Sequence, residues 1–160
     1  MENPIWGIGI FGKRKQAEDI LSVLKQVPIF SELSPRELAE VEKIVHRRKY
    51  KKGEAVIRAG DPGLGMYIIH KGAVDIVEES EEKGRKFLAH LSDGAFFGDL
   101  ALLDESPRSA TAIASDESQV IGFFRPDFID LLNRKPKLGI KVLLALALSL
   151  IHISEPTRPY

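Results

Sequence analysis

Hydrophobic positions follow one period at the two ends of the chain and another in its middle. Between residues 13 and 27, Ala17, Ile20, Leu21, Val23, Leu24 and Val27 recur at three-and-four spacing, which predicts an amphipathic helix. Ser34-Pro35-Arg36-Glu37 opens a second helix. Ser34 can cap it, Pro35 suits the first turn, and Glu37 stands where its carboxylate reaches back as a capping box. Its buried stripe is expected to be Leu38, Val41, Ile44 and Val45. From Gly53 to Phe124 the texture shifts to short β-rich runs at 55–58, 66–70, 73–78, 86–91, 110–114 and 120–124. Turn residues punctuate them at Gly60-Asp61-Pro62-Gly63, Lys71-Gly72, Ser92-Asp93-Gly94 and Ser115-Asp116, and residues 78–84 read as a solvated hairpin tip. Helical periodicity returns at Pro126-Asp127 with Phe128, Ile129, Leu131 and Leu132, and a last helix begins near Lys137. The whole pattern predicts a small sandwich or β-roll framed by helices.

Composition narrows the function. The chain has 160 residues, 44% hydrophobic and 29% charged, which suits one globular domain with flanking segments. Lys plus Arg and Asp plus Glu are both 23, so the net charge is zero and no global field holds a polyanion; nucleic acid is not expected as a partner. The absence of cysteine excludes disulfides, thiolate metal sites and cysteine nucleophiles, and fits a cytoplasmic location. Met1-Glu2-Asn3-Pro4 lacks the basic region of an export signal. The longest apolar run, from Val142 to Ile151, falls short of the ~18–20 residues of a membrane helix, so no transmembrane segment is expected. The hydrophobic stretch from Ile5 to Phe11 reads as a lipid- or partner-docking segment or as packing on the domain's own surface. The basic run His46-Arg47-Arg48-Lys49-Tyr50-Lys51-Lys52 reads as a phosphate contact or as a solvated strand edge.

Candidate chemistry is sparse. His46, His70, His90 and His152 have no metal-ligand spacing, and no G-x-S-x-G occurs, so neither a metal site nor a catalytic residue is expected and the chain does not read as an enzyme. One segment stands apart: Phe96-Phe97-Gly98-Asp99-Leu100-Ala101-Leu102-Leu103-Asp104-Glu105-Ser106-Pro107-Arg108-Ser109-Ala110-Thr111. Here a strand ends at a glycine, a short helical turn follows, and an arginine led by proline precedes the next strand. Gly98 allows close backbone approach to an anion, the N–H groups of Leu100 and Ala101 point outward, and Arg108 offers a two-pronged contact to phosphate oxygens. Asp99 can accept from a sugar hydroxyl. The plainer alternative is a turn carrying a surface Arg–Asp pair.

This segment resembles the phosphate-binding cassette of the cyclic nucleotide-binding domain family, F-G-E-L-A-L…P-R-x-A-T. The resemblance extends over about residues 29–146 and includes Ile29-Phe30-Ser31-Glu32-Leu33, Lys52-Gly53-Glu54, Gly60-Asp61, Tyr67-Ile68-Ile69 before Gly72, and the helix from Arg125 to Leu132. It implies an antiparallel β-roll, of the jelly-roll or double-stranded β-helix kind, with N-terminal and C-terminal helices. It also implies a sensor for cAMP or cGMP whose last helix closes over the base. Carried onto matching positions, Arg108 and the Leu100 and Ala101 amides would hold the cyclic phosphate. Gly98 would line the sugar–phosphate edge, Ser109 would donate to phosphate or base, and Asp99 would accept from the ribose. The implied partners are the nucleotide and a second copy or an effector protein.

Two features depart from the family pattern. Asp99 stands where glutamate is usual and is shorter by roughly 1.5 Å. The end, Leu148-Ser149-Leu150-Ile151-His152-Ile153-Ser154-Glu155-Pro156-Thr157-Arg158, resembles the in-frame translation of a transposase adapter used in sequencing libraries. On that resemblance the natural gene is interrupted near Ala147; the alternative is a native helix end with a proline-rich tail. The expected division is therefore an N-terminal hydrophobic segment and helix (1–28), a nucleotide-binding domain (29–147) and a non-native tail (148–160). Two competing functions remain: a β-roll interaction scaffold that binds no nucleotide, and the sensor half of a truncated transcription regulator.

Overall fold

The computed structural model describes residues 13–153, with side-chain surroundings for 20–151. The hydrophobic stretch at 5–11 and the last residues, 154–160, lie outside the described residues. Helix α1 (Lys13–Gln26), a 3-10 turn (Pro28–Phe30) and helix α2 (Pro35–Ile44) precede eight strands. The strands are β1 (His46–Tyr50), β2 (Ala55–Ile57), β3 (Gly65–Lys71), β4 (Ala73–Ser80), β5 (Gly84–Ser92), β6 (Phe96–Phe97), β7 (Thr111–Ala114) and β8 (Ser118–Phe124). A second 3-10 turn (Asp99–Leu102) separates β6 from β7, and α3 (Arg125–Arg134) and α4 (Pro136–Ile153) follow β8. All pairings are antiparallel, in two four-stranded sheets ordered β1-β8-β3-β6 and β2-β7-β4-β5. This is the expected β-roll with flanking helices.

Alternation in β3 and β8 explains the layering. The two strands pair with Met66 opposite Phe123, Tyr67 opposite Gly122 and Ile68 opposite Ile121. Successive side chains point to opposite faces. Met66, Ile68, Ile121 and Phe123 therefore join the helices, in one core with Ile20, Leu24, Phe30, Leu38, Val41, Phe128, Leu131, Leu138, Val142 and Leu146. Tyr67, Ile69, Val120 and Phe124 face the second sheet, in another core with Val74, Ile76, Phe97 and Ala112. Phe30 meets Phe123 edge-on at 5.4 Å, and Phe123 lies 5.8 Å from Phe128, so helices from both ends of the chain converge on one ring.

The local signals act as their chemistry predicts. Ser34 Oγ accepts from the Glu37 N–H at 3.2 Å, and Glu37 Oε1 accepts from the Ser34 N–H at 2.9 Å, completing the capping box. The same Oε1 accepts from Lys141 Nζ at 2.8 Å, tying α2 to α4. That Lys141 contact, with the Ser34 amide, holds the Glu37 carboxyl below its ordinary range. The basic run becomes β1, an edge strand whose residues from His46 to Lys49 are exposed, which agrees with the strand-edge alternative. Helix α4 passes through residues 147 and 148 without a break, and Leu150 packs against the helix-side core.

Because Phe123 is fully buried between the rings of Phe30 and Phe128, Phe123→Ala is expected to lower unfolding free energy by about 3–5 kcal/mol. Phe87, on β5 and 60% exposed, serves as the control: Phe87→Ala should stay within about 0.5 kcal/mol. Urea denaturation of the two variants checks both.

Candidate ligand-binding site

The site is built where β6 runs out. Phe97 pairs with Tyr67 of β3, and the two rings stack at 5.5 Å. The next residue, Gly98, adopts φ +81 and ψ 19, the left-handed conformation that opens the Asp99–Leu102 turn. Its missing side chain matters as much as its dihedral. A Cβ there would lie 2.5 Å from Arg108 Nη1 and 2.9 Å from Nη2.

Arg108 reaches this position because its own backbone is clamped. Pro62 and Pro107 form a β-bridge, the Arg108 N–H donates to the Asp61 carbonyl at 2.8 Å, and the Arg108 carbonyl accepts from the Gly60 N–H at 2.8 Å. From there the guanidinium turns inward. Nη2 donates to the Gly65 carbonyl, and Nη1 donates to the Gly98 carbonyl at 3.4 Å. Nε is buried and has no hydrogen-bond partner among the described residues. Burial draws the Arg108 pKa below its ordinary value, while Tyr67 and Asp99 nearby act in the opposite direction and Arg125 adds to the depression. An arginine starts so far above neutrality that the group stays cationic. Burial likewise raises the Tyr67 pKa.

Beside Arg108 lies a small, open-mouthed cavity of about 50 Å3, lined by Ile57, Ile76, Phe97, Gly98, Arg108, Ser109 and Ala110. Apolar walls with one cationic fork suit a ligand that joins an anion to an apolar ring. Three of the sequence-predicted residues, Gly98, Arg108 and Ser109, meet here. The others are placed differently. Asp99 is 2% exposed, does not line the cavity, and accepts from Ser149 Oγ of α4 at 3.5 Å. The Leu100 side chain is exposed, and the Ala101 N–H donates to the Gly98 carbonyl at 3.1 Å within the turn.

Sequence reasoning misses several parts of the site. Arg125, which the sequence marks only as the start of a helix, donates from Nη1 to the carbonyls of Gly63 at 2.9 Å and Ala101 at 2.7 Å. Gly65 carries no sequence signal, yet a Cβ on it would run into the Phe123 carbonyl of β8. Ile57 and Ile76 come from the second sheet, and no local pattern distinguishes them from other strand residues. Among the described residues, no three His, Cys, Asp or Glu side chains gather to hold a metal ion, and no helix is long and apolar enough to cross a membrane.

Comparison with known proteins gives a consistent result. The family model described as Cyclic nucleotide-binding domain matches residues 47–135. The cAMP-dependent protein kinase regulatory subunit of Colletotrichum orbiculare is 33% identical over 123 residues, covering 77% of this chain and 30% of that protein. The Cyclic AMP receptor protein of Thermus thermophilus is 33% identical over 113 residues, covering 71% of this chain and 52% of that protein. The chain thus spans about a third to a half of these curated relatives. Among solved structures, the N-terminal domain of a transcriptional regulator from Streptomyces coelicolor A3(2) superposes with a TM-score of 0.76 at 26% identity, over 86% of this chain and 96% of that one.

The packing at Gly98 makes a testable distinction from glycines whose only demand is conformational. Gly53 has φ +91, and a Cβ added to it would meet nothing within 4 Å, so Gly53→Ala should cost about 1–2 kcal/mol. Gly98→Ala must also push aside the outer end of the Arg108 side chain and break its hydrogen bond to the Gly98 carbonyl, so it should cost about 1.5–3.5 kcal/mol in the same denaturation experiment.

Proposed function

The chain belongs to the cyclic nucleotide-binding domain family, and from that premise we propose that it is a non-catalytic cytoplasmic sensor. Residues 29–147 would take up cAMP or cGMP and convert binding into movement of the flanking helices. The observation that carries this reading is Arg108: half-buried and cationic at the wall of a cavity, with a buried Nε lacking a partner among the described residues. Leaving a buried donor unsatisfied costs free energy, and an incoming anion recovers it. Turning toward a cyclic phosphate, the fork would exchange the carbonyls of Gly65 and Gly98 for charged oxygens, which make stronger hydrogen bonds.

The neighbouring residues fit the remaining parts of the ligand. Gly98 leaves room along the sugar–phosphate edge, and exposed Ser109 would donate to phosphate or base. Ile57, Ile76 and Phe97 supply apolar walls. The N–H of Leu100 would join the phosphate contacts, and that of Ala101 would do so by leaving the Gly98 carbonyl. Asp99 would serve the ribose hydroxyl once released from Ser149, and α4 would act as the lid. Binding shifts a population among helix positions and involves no reaction. The helices would pass the change to a second copy or to an effector.

A specific observation favours one competing reading. Asp99 is buried beneath α4 and absent from the cavity wall, as expected of a β-roll that keeps the fold as an interaction scaffold without useful nucleotide binding. Calorimetric titration with cAMP and with cGMP separates the two, and heat from neither would establish the scaffold. For the sensor, Arg108→Ala should abolish binding while the protein stays folded. Asp99→Glu should tighten binding about ten- to a hundredfold, by restoring a charged hydrogen bond. That gain should vanish for the 2′-deoxy analogue.

A further inference from the structure

Two arginines stitch the same pair of backbone segments together. Arg108 donates to the carbonyls of Gly65 and Gly98, and Arg125 donates to those of Gly63 and Ala101. One segment is thus the start of β3 with the loop before it, and the other is the Asp99–Leu102 turn with its leading glycine. Arg108 grips them from the cavity side. Arg125 is the first residue of α3 and grips them from the helix side. Its own N–H, which a helix start leaves without an intrahelical partner, donates to the Leu64 carbonyl at 2.7 Å. The Arg125 side chain is only 15% exposed, and its outer contact is a 3.7 Å ion pair with exposed Glu105.

We propose that Arg125 is a positioning residue for the nucleotide site: it keeps the Asp99–Leu102 turn registered against β3 when Arg108 leaves its carbonyls for the phosphate, and so makes α3 follow the turn. This rests on the sensor reading above. Only one of the two stitches can be spared. If Arg108 turns to the ligand, the carbonyls of Gly65 and Gly98 lose its donors, and Arg125 still hydrogen-bonds both segments from α3, beside the apolar packing of Leu102 on Met66, Ile68 and Phe128. Planar geometry matters here. A guanidinium nitrogen with two hydrogens serves two carbonyls at fixed angles, whereas a lysine ammonium is a flexible point charge. The two cations also repel, since Arg125 disfavours the charged form of Arg108, and an anion at Arg108 relieves that repulsion.

Hydrogen exchange of the full chain, with and without saturating cAMP or cGMP, together with calorimetry, tests the proposal on the wild type, Arg125→Met and Arg125→Lys. In the wild type, ligand should change protection in residues 99–103 and 125–134 together. In Arg125→Met, affinity should fall about ten- to a hundredfold, and at saturation the response of 125–134 should be lost while that of 99–103 persists. Arg125→Lys should fall between them in affinity, and it carries the test if the methionine variant does not fold. A folded variant with lower melting temperature but wild-type affinity and a wild-type response in 125–134 would show that Arg125 is structural only, and would overturn the proposal. Absence of binding by the wild type to either nucleotide would instead overturn the sensor reading, and this inference with it.

Discussion

A sheet that is apolar on both faces cannot stand at the surface of a protein, and β3 with β8 forms such a sheet. Met66, Ile68, Ile121 and Phe123 require cover on one side, while Tyr67, Ile69, Val120 and Phe124 require it on the other. The second sheet meets the inner demand and closes the roll. The helices meet the outer one, and because α1, α2, α3 and α4 all contribute to that core, none is an appendage. Their position depends on the same two strands whose inner face borders the candidate site. A displacement at the cavity therefore has a short physical route to the helices.

The candidate site is a problem of buried polarity more than of shape. Arg108 sits where desolvation opposes its charge, and two backbone carbonyls satisfy it only in part. A hydrophobic residue of similar volume would serve a purely structural role there at lower cost, because an unpaired buried donor costs more than the packing it supplies. The Arg108 guanidinium turns inward onto the carbonyls of Gly65 and Gly98, which differs from a turn carrying a surface ion pair. Asp99 shows the opposite arrangement. It is fully enclosed, in contact with α4, and would have to change partners to serve a ribose.

The helix side has its own electrostatic organisation. Glu37 Oε1 closes the capping box of α2 and also accepts from Lys141 of α4, while Glu40 lies 3.5 Å from Lys43 and 3.7 Å from Lys135. These contacts are largely solvated and individually weak. Their effect is directional. They align the amino-terminal helices with the carboxy-terminal pair over the core that Phe30, Phe123 and Phe128 build.

Much of this is legible without coordinates, and the reason is periodicity and chain chemistry. The capping box at Ser34, the turn glycines, the strand runs and the cassette from Phe96 to Thr111 are local patterns, and local patterns carry local structure. Gly98 and Arg108 can be named because one requires a left-handed backbone and the other supplies charge ten residues further along the chain. What tertiary structure alone decided is which distant groups meet. Arg108 faces carbonyls at Gly65 and Gly98, Arg125 faces those at Gly63 and Ala101, and Asp99 lies under Ser149 of a helix fifty positions away. Backbone carbonyls have no side-chain identity, so no residue letter announces them as partners. Their use depends on how far the chain folds back, which is set by the packing of the whole sheet.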